Sequence, residues 1–204
     1  MARQRLSRDR VSHSLSESQA QNIIDAAHFA ATMAKPLNRF TTIHWQQAGV
    51  TTNIQGATLR FLKLAADWLR LRGETLAYIW VRESGDGKGE HVHILLHVPP
   101  YLGRAFSSRQ RGWLKACGAS FSKGMIFSRP VGRSLSHAFV GIRYGEPYQD
   151  HLDAALNYVL KSTSPHAHAR LGLPKHEPSG VIIGKRCSTS QNIGRAARLP
   201  RVVP

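Results

Sequence analysis

Acidic residues are scarce and cysteine is nearly absent. Only 12 Asp and Glu stand against 28 Lys and Arg in 204 residues, giving a formal charge of +16 and a pI near 10.9. That imbalance favours a polyanionic partner, nucleic acid first and an acidic membrane second. The two cysteines, Cys117 and Cys187, lie far apart with no CxxC spacing and no Cys/His cluster. They exclude a disulfide framework and a zinc knuckle, and read as reduced thiols. No run approaches the roughly 18 uninterrupted apolar residues of a spanning helix. The opening MARQRLSRDRVSHS is basic without an apolar centre, so it is not a secretory signal. These absences describe a soluble, cytoplasmic protein with no membrane partner.

The shortage of acid is local as well as global. From His91 to Gly145 there is no Asp or Glu, and the tail beyond Glu177 has none either. Arg104, Arg109, Arg111, Lys115, Lys123, Arg129, Arg133 and Arg143 fall in the first stretch. Lys185, Arg186, Arg195, Arg198 and Arg201 fall in the second. A phosphate backbone is the natural counterion, and binding is expected to weaken steeply with salt. The candidate nucleic-acid contacts are Arg39, Lys88, Arg104, Arg109, Arg111, Lys115, Lys185 and Arg186.

What is present is a run of alternating elements. Residues 1–14 read as a flexible basic arm. Apolar spacing predicts a helix over 16–34, stopped by Pro36, then a strand from Arg39 to Trp45 in RFTTIHW. A second helix spans 56–72 with Gly73 beyond it. Strands over 76–83 and 91–98 flank a Gly-rich turn, and Pro99-Pro100 closes the second. A helix over 102–116, strand-rich stretches at 125–127 and 138–144, and a helix over 150–161 with Asp150 as N-cap follow. Residues 162–179 read as a loop, 181–184 as a short strand, and the last twenty residues as a small helix or tail. The order β-α-β-β-α-β, with further strands and a late helix, implies an α+β fold with helices packed on one face of a mainly antiparallel sheet. The expected organisation is one folded domain over 15–162, opened by the N-terminal helix, and a basic extension over 163–204.

The chemistry gathers at HVHILLHV. His91 and His93, two apart on a strand, share a face, while Val92, Ile94, Leu96 and Val98 form the other. In a hairpin turning through 84–90, Glu83 sits opposite His91 and Val81 opposite His93. Two imidazoles and a carboxylate suit Mg²⁺ or Mn²⁺ with positions left open, and zinc is compatible with the same donors. Glu90 points to the other face, and His97 lies on the face of His93 but two strand steps further along, roughly 13 Å from it. The duller reading leaves both histidines as polar residues on a solvated sheet.

Tyr158-x-x-Lys161 supplies a phenol and an ammonium one turn apart on a helix whose buried stripe is Leu152, Ala155, Leu156 and Val159. A phenol with a pKa of about 10 needs a nearby cation to act as a nucleophile. A packed tyrosine at the core edge is the ordinary alternative.

Glu83, His91-Val-His93 and Tyr158-x-x-Lys161 together resemble the HUH endonucleases, in particular the single-tyrosine rolling-circle replication initiators (Rep proteins) of plasmids and small DNA phages or viruses. RFTTIHW sits where that family carries its first motif, and the likeness spans about 40 to 162. It implies an RRM-like or ferredoxin-like sheet, metal ligation by Glu83, His91 and His93, attack by Tyr158 from a helix, and a phosphate-organising role for Lys161. The implied reaction nicks single-stranded or extruded hairpin origin DNA through a 5′-phosphotyrosine intermediate, with Mn²⁺ or Mg²⁺ and no small-molecule cofactor. Relaxases place the tyrosine before the histidines, which this chain does not. Gly85-Asp-Gly-Lys88-Gly lacks P-loop spacing, so unwinding implies a host helicase. Two other functions remain open: a non-catalytic module stacking single strands on Tyr78, Trp80 and Trp45, and a metal phosphodiesterase using water. A single-tyrosine transposase shares the leading chemistry.

Overall fold

A computed structural model describes residues 10–199 apart from 86, 141, 144 and 145, with 142, 143 and 146 described by their backbone alone. Residues 1–9 of the expected arm, Tyr144, the Arg143 side chain and Arg201 therefore lie outside the described residues. The strands are β1 Val11–Ser12, β2 Arg39–Ile43, β3 Tyr78–Gly85, β4 Gly89–Leu96, β5 Ile126–Pro130, β6 Ile142–Arg143, β7 Glu146–Pro147, β8 Ile182–Ile183 and β9 Cys187–Thr189. The helices are α1 Glu17–Thr32, α2 Ile54–Arg70, α3 Gly103–Ala116, α4 Tyr148–Leu160, α5 Pro165–Arg170 and α6 Arg195–Arg198. Five strands form one antiparallel sheet in the order β5-β2-β4-β3-β9. The fold is α+β, as the element order implied. Among the described residues no helix is long and apolar enough to cross a membrane.

Local chemistry explains where the main helices begin. Ser16 caps α1, its hydroxyl accepting from the Gln19 amide at 3.3 Å while the Gln19 side chain accepts from the Ser16 amide at 2.9 Å. This reciprocal pair satisfies two donors that a helix start leaves bare. Asn53 does the same for α2, its side chain accepting from Gly56 N at 3.1 Å. At the far end of α2, Gly73 takes a φ of +75° that residues with a Cβ resist, and the chain turns back toward β3.

The sheet has two different faces. Ile43, Trp80, Val92, Ile94 and Leu96 meet Phe61, Leu62 and Leu69 of α2 and Phe106, Trp113 and Leu114 of α3. On the other face, Ile79, Val81, Leu95 and Cys187 meet α1 and Leu152, Leu156, Val159 and Leu160 of α4. Four alanines on the buried side of α1 let its backbone sit close to the strands. Each fully buried Val, Leu or Ile contributes about 1.5–3 kcal/mol, so these two clusters hold the layers together. Helices thus lie on both faces, with α1 and α4 covering only part of the second. The uncovered remainder of that face carries the polar residues.

Four expectations need correcting. The stretch from Ala138 is not one strand: Leu135–Phe139 is a 3₁₀ turn, and among the described residues of the stretch Ile142–Arg143 pairs, with β7. Residues 162–179 are not all loop, because Pro165 at the start of α5 presets a helical φ. Asp150 is not an N-cap: α4 begins at Tyr148 after Pro147, and Asp150 sits in its first turn, where a carboxylate favours the helix dipole. Finally, the folded unit does not stop at 162. β9 is an edge strand of the main sheet, and β8 pairs with β1, so Val11–Ser12 is no flexible arm.

Candidate metal centre and nucleophile

The β3–β4 hairpin has the register that the sequence implies: Glu83 opposes His91, and Val81 opposes His93. All three polar side chains are buried, and their ligand atoms lie within 4.8 Å of one another. Glu83 Oε2 is 3.6 Å from His91 Nε2 and 3.4 Å from His93 Nε2. The remaining ring nitrogens are fixed from outside. His91 Nδ1 donates to the Gly89 carbonyl at 3.0 Å, which leaves the Nε2 lone pair facing Glu83 in the neutral ring. His93 Nδ1 meets the Thr42 hydroxyl at 2.8 Å. Oriented imidazoles of this kind are usual in metal sites.

Two atoms test whether an ion fits. Glu83 Oε1 and His93 Nε2 are buried with no hydrogen-bond partner. Unsatisfied buried polar atoms are costly, and His93 Nε2, which faces Glu83 Oε2 at 3.4 Å, is one that a cation held between them would satisfy. The donor set is compatible with Mg²⁺, Mn²⁺ or Zn²⁺. Burial works to raise the Glu83 carboxyl, but the two imidazoles and Lys161 outweigh it and hold it well below the ordinary carboxylate range. Burial also lowers His93, keeping it in the neutral form that a metal needs.

α4 brings the other pair. Lys161, just past its end, reaches Glu83 Oε2 at 3.1 Å and Glu177 Oε2 at 3.3 Å. Burial opposes its charge, but Glu83 prevails and its pKa is raised. Tyr158 is 42% exposed, with its ring edge-on to His93 at 5.0 Å and to Phe40 at 5.8 Å between centroids. The Lys161 ammonium stands 4.2 Å from the Tyr158 ring centroid. The five residues Glu83, His91, His93, Tyr158 and Lys161 therefore do come together. Glu90 instead pairs with Arg82 on the opposite face, and His97 Nδ1 donates to the Pro36 carbonyl at 2.9 Å. Neither belongs to the centre.

Beside the centre runs a groove of about 1130 Å³, lined among others by Phe40, His44, Lys88, Phe127, Arg129 and Tyr158. His44 was not anticipated. Its ring lies 5.4 Å from that of His91, and burial together with the neighbouring His91, His93 and Lys88 lowers its pKa to about 4. The signal was in RFTTIH: Phe40, Thr42 and His44 alternate and so share the face of the histidines. Phe127 and Arg129 on β5 follow from the same pairing, Thr42 with Phe127 and Phe40 with Arg129.

The basic residues divide. Lys88 lines the groove, and Lys185 is exposed. Arg104, Arg109, Arg111 and Lys115 are exposed on α3, which packs on the other sheet face. Arg39 and Arg186 are corrected: both are buried. Arg39 donates to Ser128 Oγ at 2.9 Å, and Arg186 donates to Ser12, Ser179 and Gly180. Their guanidiniums are spent on internal oxygens and are unavailable to DNA. Trp45 and Trp80 are likewise fully buried core rings, not stacking platforms, and Tyr78 is partly buried against the same core. Comparison with family models, with curated proteins and with solved structures found no match.

Proposed function

We propose that this chain is a metal-dependent, site-specific endonuclease and strand transferase of the HUH type, a single-tyrosine Rep acting on single-stranded or hairpin origin DNA of a plasmid or phage. The observation that carries the reading is the buried Glu83–His91–His93 cluster with the exposed Tyr158 ring 5.0 Å from His93. Mn²⁺ or Mg²⁺ held by those three residues would supply Lewis-acid polarisation of the scissile phosphate. The rest is the work of the chain. Lys88 and Arg129 draw the phosphodiester backbone into the groove. Tyr158 Oη attacks phosphorus, the bond to the 3′ oxygen breaks, and that oxygen leaves with the electron pair and takes a proton. Lys161, 4.2 Å from the Tyr158 ring centroid, sets a positive charge beside the attacking residue. The phosphotyrosine ester keeps the energy of the broken bond, so a 3′-OH can reverse the step and rejoin the strand without ATP. Unwinding is left to a separate helicase.

The test uses purified protein, labelled single-stranded and hairpin oligonucleotides from the flanking DNA, and Mn²⁺, read on a denaturing protein gel. A shifted band that resists boiling in SDS and vanishes with EDTA or Tyr158→Phe is the expected result. Cleavage that persists in Tyr158→Phe with no shifted band points to a water nucleophile at the same centre. The non-catalytic module has lost its strongest support, since Trp45 and Trp80 are enclosed in the core.

A further inference from the structure

α3 carries a second array of cations, and it faces away from the groove. Arg104, Ser108, Arg111 and Lys115 recur at intervals of three and four, so they form one stripe along the helix. Phe106, Gln110 and Trp113 are buried on its opposite side. The helix GRAFSSRQRGWLKA contains no acid. Among the described residues, no ion pair neutralises Arg104, Arg109, Arg111 or Lys115. Arg111 only lies over the Phe121 ring, at 4.1 Å.

Neighbouring helices are built differently. Lys63 and Arg70 of α2 share Asp67, Arg170 meets Glu17, and Arg198 meets Asp25. Like charges at i and i+4, such as Arg111 and Lys115, cost a helix stability. An uncompensated stripe therefore favours a counterion from outside.

Position decides which counterion. α3 packs with α2 on the Trp80 and Ile94 face, whereas the Glu83–His91–His93 cluster lies on the other. The sheet and a helix layer about 10–12 Å thick separate the two, so nucleotides held in the groove do not reach the stripe. From Arg104 to Lys115 the array extends about 16 Å, somewhat more than the roughly 12 Å width of a DNA major groove. The stripe has charges and a hydroxyl suited to phosphate oxygens. Of the rings beside it, Phe121 is half-buried under the Arg111 guanidinium and Tyr101 donates to Glu74 at 2.7 Å, so phosphate contact rather than base stacking is what the stripe offers. It also has no apolar side chain to enter a lipid surface, because those of α3 are in the core.

We infer that the outer face of α3 is a second nucleic-acid site, taking duplex DNA and separate from the groove. It rests on the nicking reading only for the source of that duplex, the paired DNA flanking the cut strand. The two faces would then hold a junction, duplex on one side and a single strand on the other.

The experiment uses the full chain, a fluorescein-labelled duplex and the single strand of the same sequence. Anisotropy titrations run from about 50 to 200 mM NaCl, where phosphate contacts dominate the salt response. In Arg104→Gln/Arg111→Gln/Lys115→Gln the log–log salt slope for duplex should fall by about 2.7. Over that range wild-type duplex affinity should drop about 40-fold more than the variant's, while single-strand binding is unchanged. Arg104→Lys/Arg111→Lys keeps the charge and should keep the slope, which separates lost contacts from misfolding. An unchanged duplex slope in the triple variant overturns the proposal. Equal loss for duplex and single strand does so too, as does wild-type binding to phosphatidylserine vesicles but not to duplex. No covalent adduct is read, so failure of the nicking reading leaves this result interpretable.

Discussion

Lys161 Nζ lies 3.1 Å from Glu83 Oε2, the same oxygen that both imidazoles approach. The end of α4 is thereby tied to β3, and the tyrosine one turn earlier is positioned by the residue that neutralises the Glu83 carboxylate. A conventional view would assign Lys161 to the phosphate alone. Here it is first a structural counter-charge.

Lys161→Met should therefore destabilise the metal-free protein by about 3 kcal/mol, since removing one partner leaves a buried carboxylate uncompensated. Mn²⁺ should recover much of the loss. Urea denaturation with and without MnCl₂ checks both, and a variant as stable as wild type would dissociate Lys161 from Glu83.

Metal binding should appear as stability. A ligand at a hundredfold excess over its dissociation constant raises stability by about 2.7 kcal/mol. Mn²⁺ should produce an increment of that order in wild type and none in His93→Ala or His91→Ala, measured by thermal melting. EDTA should abolish the adduct.

Tyr158→Phe should be nearly silent in the fold. The side chain is 42% exposed, and surface changes of this kind stay within about 0.5 kcal/mol. Oligonucleotide affinity should persist while the adduct disappears, read by anisotropy and by gel.

Acid should weaken the metal-free protein. His44 has a folded pKa of about 4 against an ordinary 6.5, so the unfolded chain binds more protons in that interval and stability falls as pH drops through it. His93 is lowered by burial and acts in the same direction. Glu83, depressed when folded, contributes above its ordinary range near 4.5 and loses that contribution below it. Urea midpoints from pH 7 to 4 should decline, and more shallowly in His44→Asn.

Arg186→Ala should unfold the N-terminal strand without changing the salt dependence of DNA binding. Its guanidinium satisfies Ser12 and Gly180 carbonyls, and orphaning such groups costs about 1–3 kcal/mol each. Hydrogen exchange at residues 11–12 and anisotropy at several salt concentrations separate the two effects.

The centre was readable because a hairpin is local. His91 and His93 at a spacing of two, and a turn placing Glu83 opposite, need only β geometry and hold in the register observed. Tyr158 and Lys161 came from the period of one helix. What was not readable depends on contacts far apart in sequence. Arg39 and Arg186 looked like surface cations because nothing local shows that Ser128 and Ser12 would enclose them. Trp45 and Trp80 carry no mark of which sheet face α2 will cover. β9, three residues long, has too little pattern to declare itself a strand.

The pairing of Val11 with Ile183, and the Arg186 bond to Ser12 across 174 positions, has a temporal meaning. During synthesis, the open edge of β3 waits for residues 187–189, and the N-terminal strand waits for 182–183. Until then the hairpin carrying Glu83, His91 and His93 has an unpaired flank of amides and carbonyls, a template for foreign strands. A partly made chain would hold the Glu83, His91 and His93 cluster before it had the framework to fix it. Completing the sheet therefore waits until residues 187–189 have been made.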